Sequence, residues 1–337
     1  MSRIGGRVAG LSAGVVIMAL SVTSALTMTS LPPVIFLMGP TASGKTLAAL
    51  EIVERFPCEI ISVDSSQVYR GMDIGSAKPP REVLERVPHR LVDIRDPSEA
   101  YSAAEFRRDA LREMERITAR GRIPLLTGGT MLYFRVLQQG LSALPSADPA
   151  VRRRILDLAE AQGWASLHER VRQVDPATAE RIHPNDRQRI QRALEVFEIE
   201  GKSWTQLCLD PRPAFPYRAV KLVMAPAQRP VLHERIGRRF DQMLADGLIE
   251  EVAGLYGRED LSSELPAMRA VGYRQVWNYL AGNSSYQQMR DLAVTATRQF
   301  AKRQLTWLRA ETEAHWFDNS DSDPTGTLLG YLEGIFY

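Results

Sequence analysis

One stretch of the chain, residues 39–46, constrains the fold more than any other. It reads Gly-Pro-Thr-Ala-Ser-Gly-Lys-Thr and fits G-x-x-x-x-G-K-[ST], a pattern in which backbone N–H groups surround a phosphate at the start of a helix. An apolar run at 34–38 precedes it and a helical pattern at 47–56 follows it, as the pattern requires. We therefore predict a strand, a phosphate-binding loop and a helix, with a kinase or nucleoside triphosphatase as the first interpretation.

The residues of this loop have distinct predicted roles. Gly39 and Gly44 permit the tight turn, Lys45 adds a positive charge, and the Thr46 hydroxyl is the predicted protein ligand of Mg²⁺. Which phosphate compound the loop binds has to come from the rest of the chain. The predicted phosphate-binding residues are Gly39, Pro40, Thr41, Ala42, Ser43, Gly44, Lys45 and Thr46.

Further apolar runs alternate with helical patterns, and a capping box at Ser102 and Glu105 opens one long helix. Alternating strands and helices predict an α/β fold with a doubly wound parallel sheet, like that of P-loop NTPases. One run ends at Asp64 and is followed by the polar loop 65–78, at the end of a strand where such sheets bind ligands. The predicted later strands cover residues 59–64, 90–94, 123–127 and 217–224.

The pattern changes after residue 146, because residues 150 to about 207 form only helical segments and short turns. We predict an all-helical insertion domain at 147–210 within a phosphate-loop core made of 32–146 and 211–337. Residues 1–31 contain basic residues and a short apolar run, which is compatible with a secretory signal. Export would separate a phosphate-loop enzyme from its metabolites. We therefore favour a poorly ordered, dispensable extension upstream of the functional start.

Charge is nearly balanced, with 42 Lys and Arg against 40 Asp and Glu, so net charge gives no argument for a nucleic acid. Local basic clusters occur at 152–154, at 187–192 and in the last long helix, where Leu292, Ala296, Phe300 and Trp307 form the predicted apolar side. These clusters are either solvated faces or contacts to an acidic polymer. Arg303 falls toward the apolar side of this helix, so we expect its charge to have a partner there, either a structural ion pair or a ligand. The two cysteines favour a reduced compartment without a disulfide or zinc site.

Eight collinear segments between about residues 31 and 317 resemble the tRNA dimethylallyltransferase family, bacterial type. Ser76 and Thr127 depart from the pattern of that family, which has Thr and an aliphatic residue there. The segments are GPTASGKT (39–46), SVDSSQVYRGMDIGSAKP (62–79), HRLVDIRDP (89–97), YSAAEFRRDA (101–110), PLLTGGTMLYF (124–134), IHPNDRQRIQRALEV (182–196), AMRAVGYRQ (267–275) and ATRQFAKRQLTWLR (296–309).

The resemblance implies transfer of a dimethylallyl group from dimethylallyl diphosphate to N6 of the adenine 3′ to the anticodon of tRNA, with Mg²⁺. The loop 39–46 then holds a leaving diphosphate, and the insertion grips the anticodon stem-loop. The resemblance also implies a cytoplasmic monomer that needs neither a membrane nor an obligate protein partner.

The resemblance further implies three catalytic residues, which are Asp64, Thr130 and Arg239. Asp64 would be the general base, and Arg239 would bind the diphosphate, although the adjacent Arg238 is a second candidate for that role. Asp64 has a second interpretation, in which it orders Mg²⁺ through water. The implied tRNA-binding residues are Asp64, Ser65, Ser66, Gln67, Thr130, Arg152, Gln188, Arg189, Ile190, Gln191, Arg192, Arg269, Ala270, Val271, Gly272, Tyr273 and Arg274.

Two other hypotheses fit the loop motif. A small-molecule kinase would bind ATP tightly and ignore RNA. A non-catalytic RNA-binding module would use the loop only to recognise a terminal phosphate. Transfer of label from dimethylallyl diphosphate to tRNA separates these hypotheses from prenyl transfer.

Overall fold

The computed structural model describes residues 31–142, 144–209, 214–320 and 323–337. The prediction for the N-terminal extension falls on residues 1–31, which lie outside this range except for Leu31. Within the described ranges no helix combines the length and the apolar character needed to cross a membrane.

A sheet of six parallel strands forms the centre of the fold, in the order β3-β2-β4-β1-β5-β6. The side chains of residues 34–38 in β1 are fully buried, as expected for a parallel strand covered by helices on both faces. The parallel α/β sheet is therefore confirmed. The strands are β1 (Pro33–Met38), β2 (Cys58–Val63), β3 (His89–Arg90), β4 (Ile123–Gly128), β5 (Arg218–Ala225) and β6 (His315–Asp318).

The third strand is much shorter than the predicted run 90–94, because β3 contains only His89 and Arg90. Leu91 and Asp93 adopt positive φ angles of 64° and 56°, which are incompatible with an extended strand. The buried ammonium of Lys78 lies 2.5 Å from Asp93 Oδ1 and holds the turn in place. The apolar pattern is real, but tertiary contacts end the strand early.

The core helices form a layer on each face of the sheet. On one face α1 and α13 pack through residues such as Ile52 and Leu332, and the remaining core helices with described buried side chains pack on the other. The predicted capping box of Ser102 and Glu105 is present at the start of α3. The core helices are α1 (Lys45–Arg55), α2 (Arg81–Arg86), α3 (Ala103–Ala119), α4 (Met131–Gln139), α9 (Arg229–Ala245), α10 (Leu248–Tyr256), α11 (Tyr273–Leu280), α12 (Tyr286–Leu308) and α13 (Pro324–Phe336).

Between α4 and β5 the elements that the structure describes are all helices, and they share a hydrophobic cluster of their own that includes Ile155, Leu167 and Ile190. The domain boundaries at 147 and 210 stay a prediction. Gly163, with φ 79°, kinks the first of these helices. They are α5 (Pro149–Val174), α6 (Pro176–Arg181), α7 (Arg187–Glu200) and α8 (Trp204–Leu207).

The predicted apolar side of the last long helix is wrong at its first position. Leu292 is 57% exposed, whereas Ala293, Ala301, Leu305 and Leu308 are buried. The buried face of α12 is therefore rotated from the predicted one, since Leu292 faces solvent and Phe300 is only half-buried.

Ile190 is fully buried in the helical cluster, so its side chain packs in the core, and the RNA contact implied for this position stays a prediction. We expect Ile190→Ala to lower the free energy of unfolding by ~2–5 kcal/mol, because it leaves a cavity. The matched control is Ile199→Ala in the same helix, where the side chain is 37% exposed and we expect a loss below ~1 kcal/mol. Denaturant unfolding measures both losses, and equal losses would contradict the assignment of Ile190 to the core.

Candidate active site

A cavity of ≈ 470 Å³ opens at the carboxyl ends of β1, β2 and β4, where parallel sheets place their ligands. Six parts of the chain form most of its wall: the loop 39–46, the loop after Asp64, the turn 127–130, the segment 266–272, and one side each of α9 and α12. The structure thus brings together the predicted phosphate loop and all three predicted catalytic residues, Asp64, Thr130 and Arg239.

The phosphate loop adopts the tight turn that its sequence predicts, with positive φ angles at Ala42 and Gly44. Contacts from other parts of the chain fix it, since Asn319 Nδ2 donates to the Ser43 carbonyl over 2.6 Å. Gly39 is needed for a further reason, because a Cβ there would lie 2.3 Å from the carbonyl oxygen of Met224. The loop backbone is therefore held rigidly against β5.

Lys45 lies in the cavity wall and donates to the Pro40 carbonyl over 2.7 Å and to Ser43 Oγ over 3.2 Å. Burial, together with the positive charge of Arg239, lowers the pKa of Lys45 to about 7, although Asp64 opposes this effect. Burial also lowers the pKa of Arg239. Burial therefore disfavours the charged form of both side chains, and an anion bound in the cavity would stabilise both charges.

The choice between Arg238 and Arg239 follows from the helix that carries them. Ile236, Arg239, Phe240 and Met243 line the cavity, with the spacing of one helical face. Arg238 is exposed, and its Nε lies 3.6 Å from Glu234 on the solvent side. Among these two, only Arg239 faces the candidate diphosphate site.

The Asp64 carboxylate is oriented by its own loop. Its Oδ1 accepts from the backbone N–H groups of Ser66, at 2.8 Å, and Gln67, at 3.3 Å. Thr130 lies across the cavity mouth, where its Oγ1 accepts from the Ser65 N–H over 3.1 Å. The Thr130 hydroxyl makes no capping hydrogen bond at the start of α4. Thr130 lines the cavity instead.

Gln67 lines the cavity, but its amide is used within the protein. Ser62 Oγ donates to Gln67 Oε1 over 2.9 Å, and Gln67 Nε2 donates to the Ala77 carbonyl over 3.2 Å. The amide therefore holds the ends of the loop after β2 together, and its predicted contact to RNA would require these bonds to break.

Glu251 organises the same loop and was missed by sequence reasoning. Its carboxylate accepts from the N–H groups of Asp73, Ile74 and Gly75 at 2.9, 2.7 and 3.2 Å, and from the Tyr273 hydroxyl at 2.6 Å. Tyr273 is fully buried, so its side chain supports the loop through Glu251, and the RNA contact implied for this position stays a prediction. No local pattern around Glu251 indicates this role, because its partners are distant in the chain.

The other predicted RNA contacts fall into two groups. Ser65, Ser66 and segment 269–272 line the cavity. The side chains of Gln188, Arg189 and Arg274 are exposed away from it, and Gln191 is half-buried.

Arg152 and Arg192 share a buried partner, Glu195, which is fully buried. Arg152 Nε lies 2.9 Å from Glu195 Oε1, and Arg192 donates to Oε2 over 2.8 Å and to the Pro145 carbonyl over 2.5 Å. Both arginines therefore neutralise a buried carboxylate besides any role toward RNA, because an unpaired buried charge is costly.

Residues of α12 complete the cavity and were not predicted as site residues. Thr297, Phe300, Arg303 and Gln304 line it. Within the described residues no ion pair of Arg303 occurs, and its guanidinium lies 6.0 Å from the Phe300 ring centroid. Of the two alternatives for Arg303, the ligand is therefore favoured.

The residues present fit a Mg²⁺ ion held mainly by a substrate. Thr46 and Asp64 line one cavity, while the described residues contain no group of three or more His, Cys, Asp and Glu that could hold a metal by itself. Mg²⁺ commonly keeps several waters and binds through one or two protein oxygens and substrate phosphates.

The fold and the cavity define an α/β enzyme of the phosphate-loop class. Residues 67–311 match the family described as IPP transferase. Because this match covers most of the chain, the chain belongs to the IPP transferase family, which confirms the resemblance seen in its motifs.

Solved structures agree with this family. The full-length tRNA isopentenylpyrophosphate transferase of Bacillus halodurans is 36% identical, with a TM-score of 0.65 over 90% of this chain and 96% of its own. The tRNA delta(2)-isopentenylpyrophosphate transferase of Staphylococcus epidermidis is 33% identical, with a TM-score of 0.65 over 90% and 98%. A eukaryotic dimethylallyltransferase acting on tRNA is 26% identical, with a TM-score of 0.76 over 89% and 77%.

The lowered pKa of Lys45 gives a pH-dependent prediction. Raising the pH through about 7 removes the ammonium charge from the free enzyme, so affinity for inorganic diphosphate without Mg²⁺ should fall about tenfold between pH 6 and 8. Lys45→Arg stays charged and is the control for titration of diphosphate itself. Calorimetry measures the affinity of both proteins for inorganic diphosphate at each pH. An identical pH dependence of the two affinities would contradict the role given to Lys45.

Proposed function

We propose that this chain transfers a dimethylallyl group from dimethylallyl diphosphate to N6 of the adenine 3′ to the anticodon of tRNA. Prenyl transfer to tRNA is the reaction of its family. The observation that carries the proposal is one cavity in which the phosphate loop, Arg239 and Asp64 face each other. Such a cavity can hold a diphosphate donor and a nucleophile beside a base.

The donor side stabilises the leaving group. As the C1–O bond of dimethylallyl diphosphate breaks, negative charge grows on the diphosphate, and Lys45, Arg239 and the loop N–H groups are placed to stabilise it. Thr46 and the diphosphate oxygens would hold Mg²⁺, which supplies further positive charge. Burial lowers the pKa of both protein cations, so the developing anion would supply the opposite charge that favours their protonated forms.

The acceptor side activates a weak nucleophile. The N6 amine of adenine is conjugated into its ring, so removal of a proton by a positioned carboxylate would contribute ~10²–10⁴-fold to the rate. Asp64 Oδ1 is held by two backbone N–H groups, which leaves Oδ2 to accept the N6 proton as the N6–C1 bond forms. Thr130 lies beside Ser65 at the same mouth and would position the amine.

The target adenine must leave its stack to enter the cavity, at a cost of a few kcal/mol. Ser65, Ser66 and segment 269–272 line that cavity and are placed to contact the base and its neighbours. The exposed Gln188 and Arg189 of α7 would contact the anticodon stem-loop. A cytoplasmic location, a monomeric state and independence from an obligate protein partner remain part of this proposal.

Asp64→Asn tests the general base. We expect the variant to fold and to bind inorganic diphosphate and tRNA, while kcat falls ~10²–10⁴-fold because the amide cannot accept the proton. Label transfer from dimethylallyl diphosphate to unmodified tRNA with Mg²⁺ gives kcat. A variant with a near-normal rate would remove Asp64 from this role, and tight ATP binding with no label in RNA would refute prenyl transfer itself.

Two adjacent arginines provide a matched test of the donor site. Arg239→Gln should lower kcat/KM for dimethylallyl diphosphate ~10²–10³-fold, because it removes a charge that meets the leaving diphosphate. Arg238→Gln should leave it nearly unchanged, since Arg238 faces Glu234 and solvent. Similar losses of kcat/KM in both variants would contradict the assignment of Arg239, and not Arg238, to the diphosphate site.

A further inference from the structure

Gln304 is a buried polar side chain that the proposed chemistry does not use. It is 4% exposed and lies near the end of α12. Its Oε1 accepts from the Thr41 N–H over 3.0 Å, and its Nε2 donates to the Gly129 carbonyl over 2.7 Å. The two backbone partners have fixed polarity, so only a side chain with both an acceptor and a donor satisfies them.

These two bonds join the loops that serve the two substrates. Thr41 belongs to the phosphate loop, and Gly129 directly precedes Thr130. The ladder between β1 and β4 ends at the pair Met38 and Gly128. Beyond that pair the two loops diverge, and the Gln304 amide connects them in place of further ladder bonds.

The backbone is shaped to admit this amide. A Cβ at Gly129 would lie 2.3 Å from Gln304 Nε2, so any larger residue there would require the amide to move from its two hydrogen bonds. The same helix lines the cavity through Thr297, Phe300 and Arg303. One side chain therefore ties the wall formed by α12 to both loops.

We propose that Gln304 is a positioning residue that holds the diphosphate loop and the Thr130 turn in the register required for transfer. This inference rests on the proposed function. The donor carbon must lie in line between the diphosphate and the adenine amine, and misplacement by about 1 Å can cost ~10²-fold in rate. Gln304 fixes the separation of the two loops that hold these partners.

Gln304→Met keeps the size of the side chain and removes both hydrogen bonds. We expect kcat to fall ~10–100-fold and KM for dimethylallyl diphosphate to rise, while KM for tRNA stays near the parent value. Gln299→Met is the matched control, because Gln299 is exposed on the same helix. Thermal unfolding is measured alongside. A variant that loses only thermal stability, with kcat and both KM values equal to those of the control, would overturn the proposal.

If Gln304→Met fails to fold, Gln304→Glu keeps the acceptor for Thr41 and loses the donor to Gly129, and a loss of kcat is expected there too. A kcat equal to that of the parent enzyme would overturn the proposal. The same assay on the parent enzyme separates this inference from the proposed function. A parent enzyme that transfers no label to tRNA refutes the function, whereas an active parent with an equally active variant refutes only the role of Gln304.

A double-mutant cycle tests the contact directly. Gly129→Ala should lower kcat in the parent background, because its methyl group meets the Gln304 amide. In a Gln304→Ala background that contact is gone, so the same methyl group should cost less. Additive losses would show that the two positions act independently and would overturn the proposal.

Discussion

The site depends on backbone segments that approach each other more closely than side chains would allow. A Cβ at Gly128 would lie 2.1 Å from the Val63 carbonyl oxygen, and one at Gly39 would lie 2.3 Å from that of Met224. These glycines stand where neighbouring parallel strands end, so the loops that follow emerge side by side. The rigid strands thereby place the phosphate loop, Asp64 and Thr130 around one cavity, and a bulkier residue would force the loops apart.

The second constraint is electrostatic. Lys45 and Arg239 are kept in one cavity although burial lowers the pKa of each and the charge of Arg239 lowers that of Lys45 further. A fold selected for stability alone would pair such groups with carboxylates, as it does for Lys78 with Asp73 and Asp93. The arrangement is reasonable if an anion regularly occupies the cavity, because a diphosphate would reverse both effects.

Features set by neighbouring residues could be read from the sequence, and features set by distant ones could not. The phosphate loop, the run that forms β1 and the capping box at Ser102 depend on contacts within a few residues, and the structure has them as predicted. Gln304 reaches Thr41 across 263 positions of the chain, and no local pattern encodes that meeting. The predicted length of β3 was wrong for a related reason, because the turn at Asp93 is held by Lys78, which lies outside the apolar run itself.

Residues that a family motif groups together need not act in the same way. Within the segments implied for RNA contact, Ile190 and Tyr273 are fully buried, and Arg192 neutralises the buried Glu195. Such residues lie beneath or beside the exposed side chains that the proposed function assigns to RNA, and they determine where those side chains stand. Under the proposed function, a substitution at one of them would change RNA recognition indirectly, by moving exposed neighbours such as Arg189 or Arg274. Loss of tRNA binding in a variant is therefore evidence of direct contact only where the structure shows the side chain exposed.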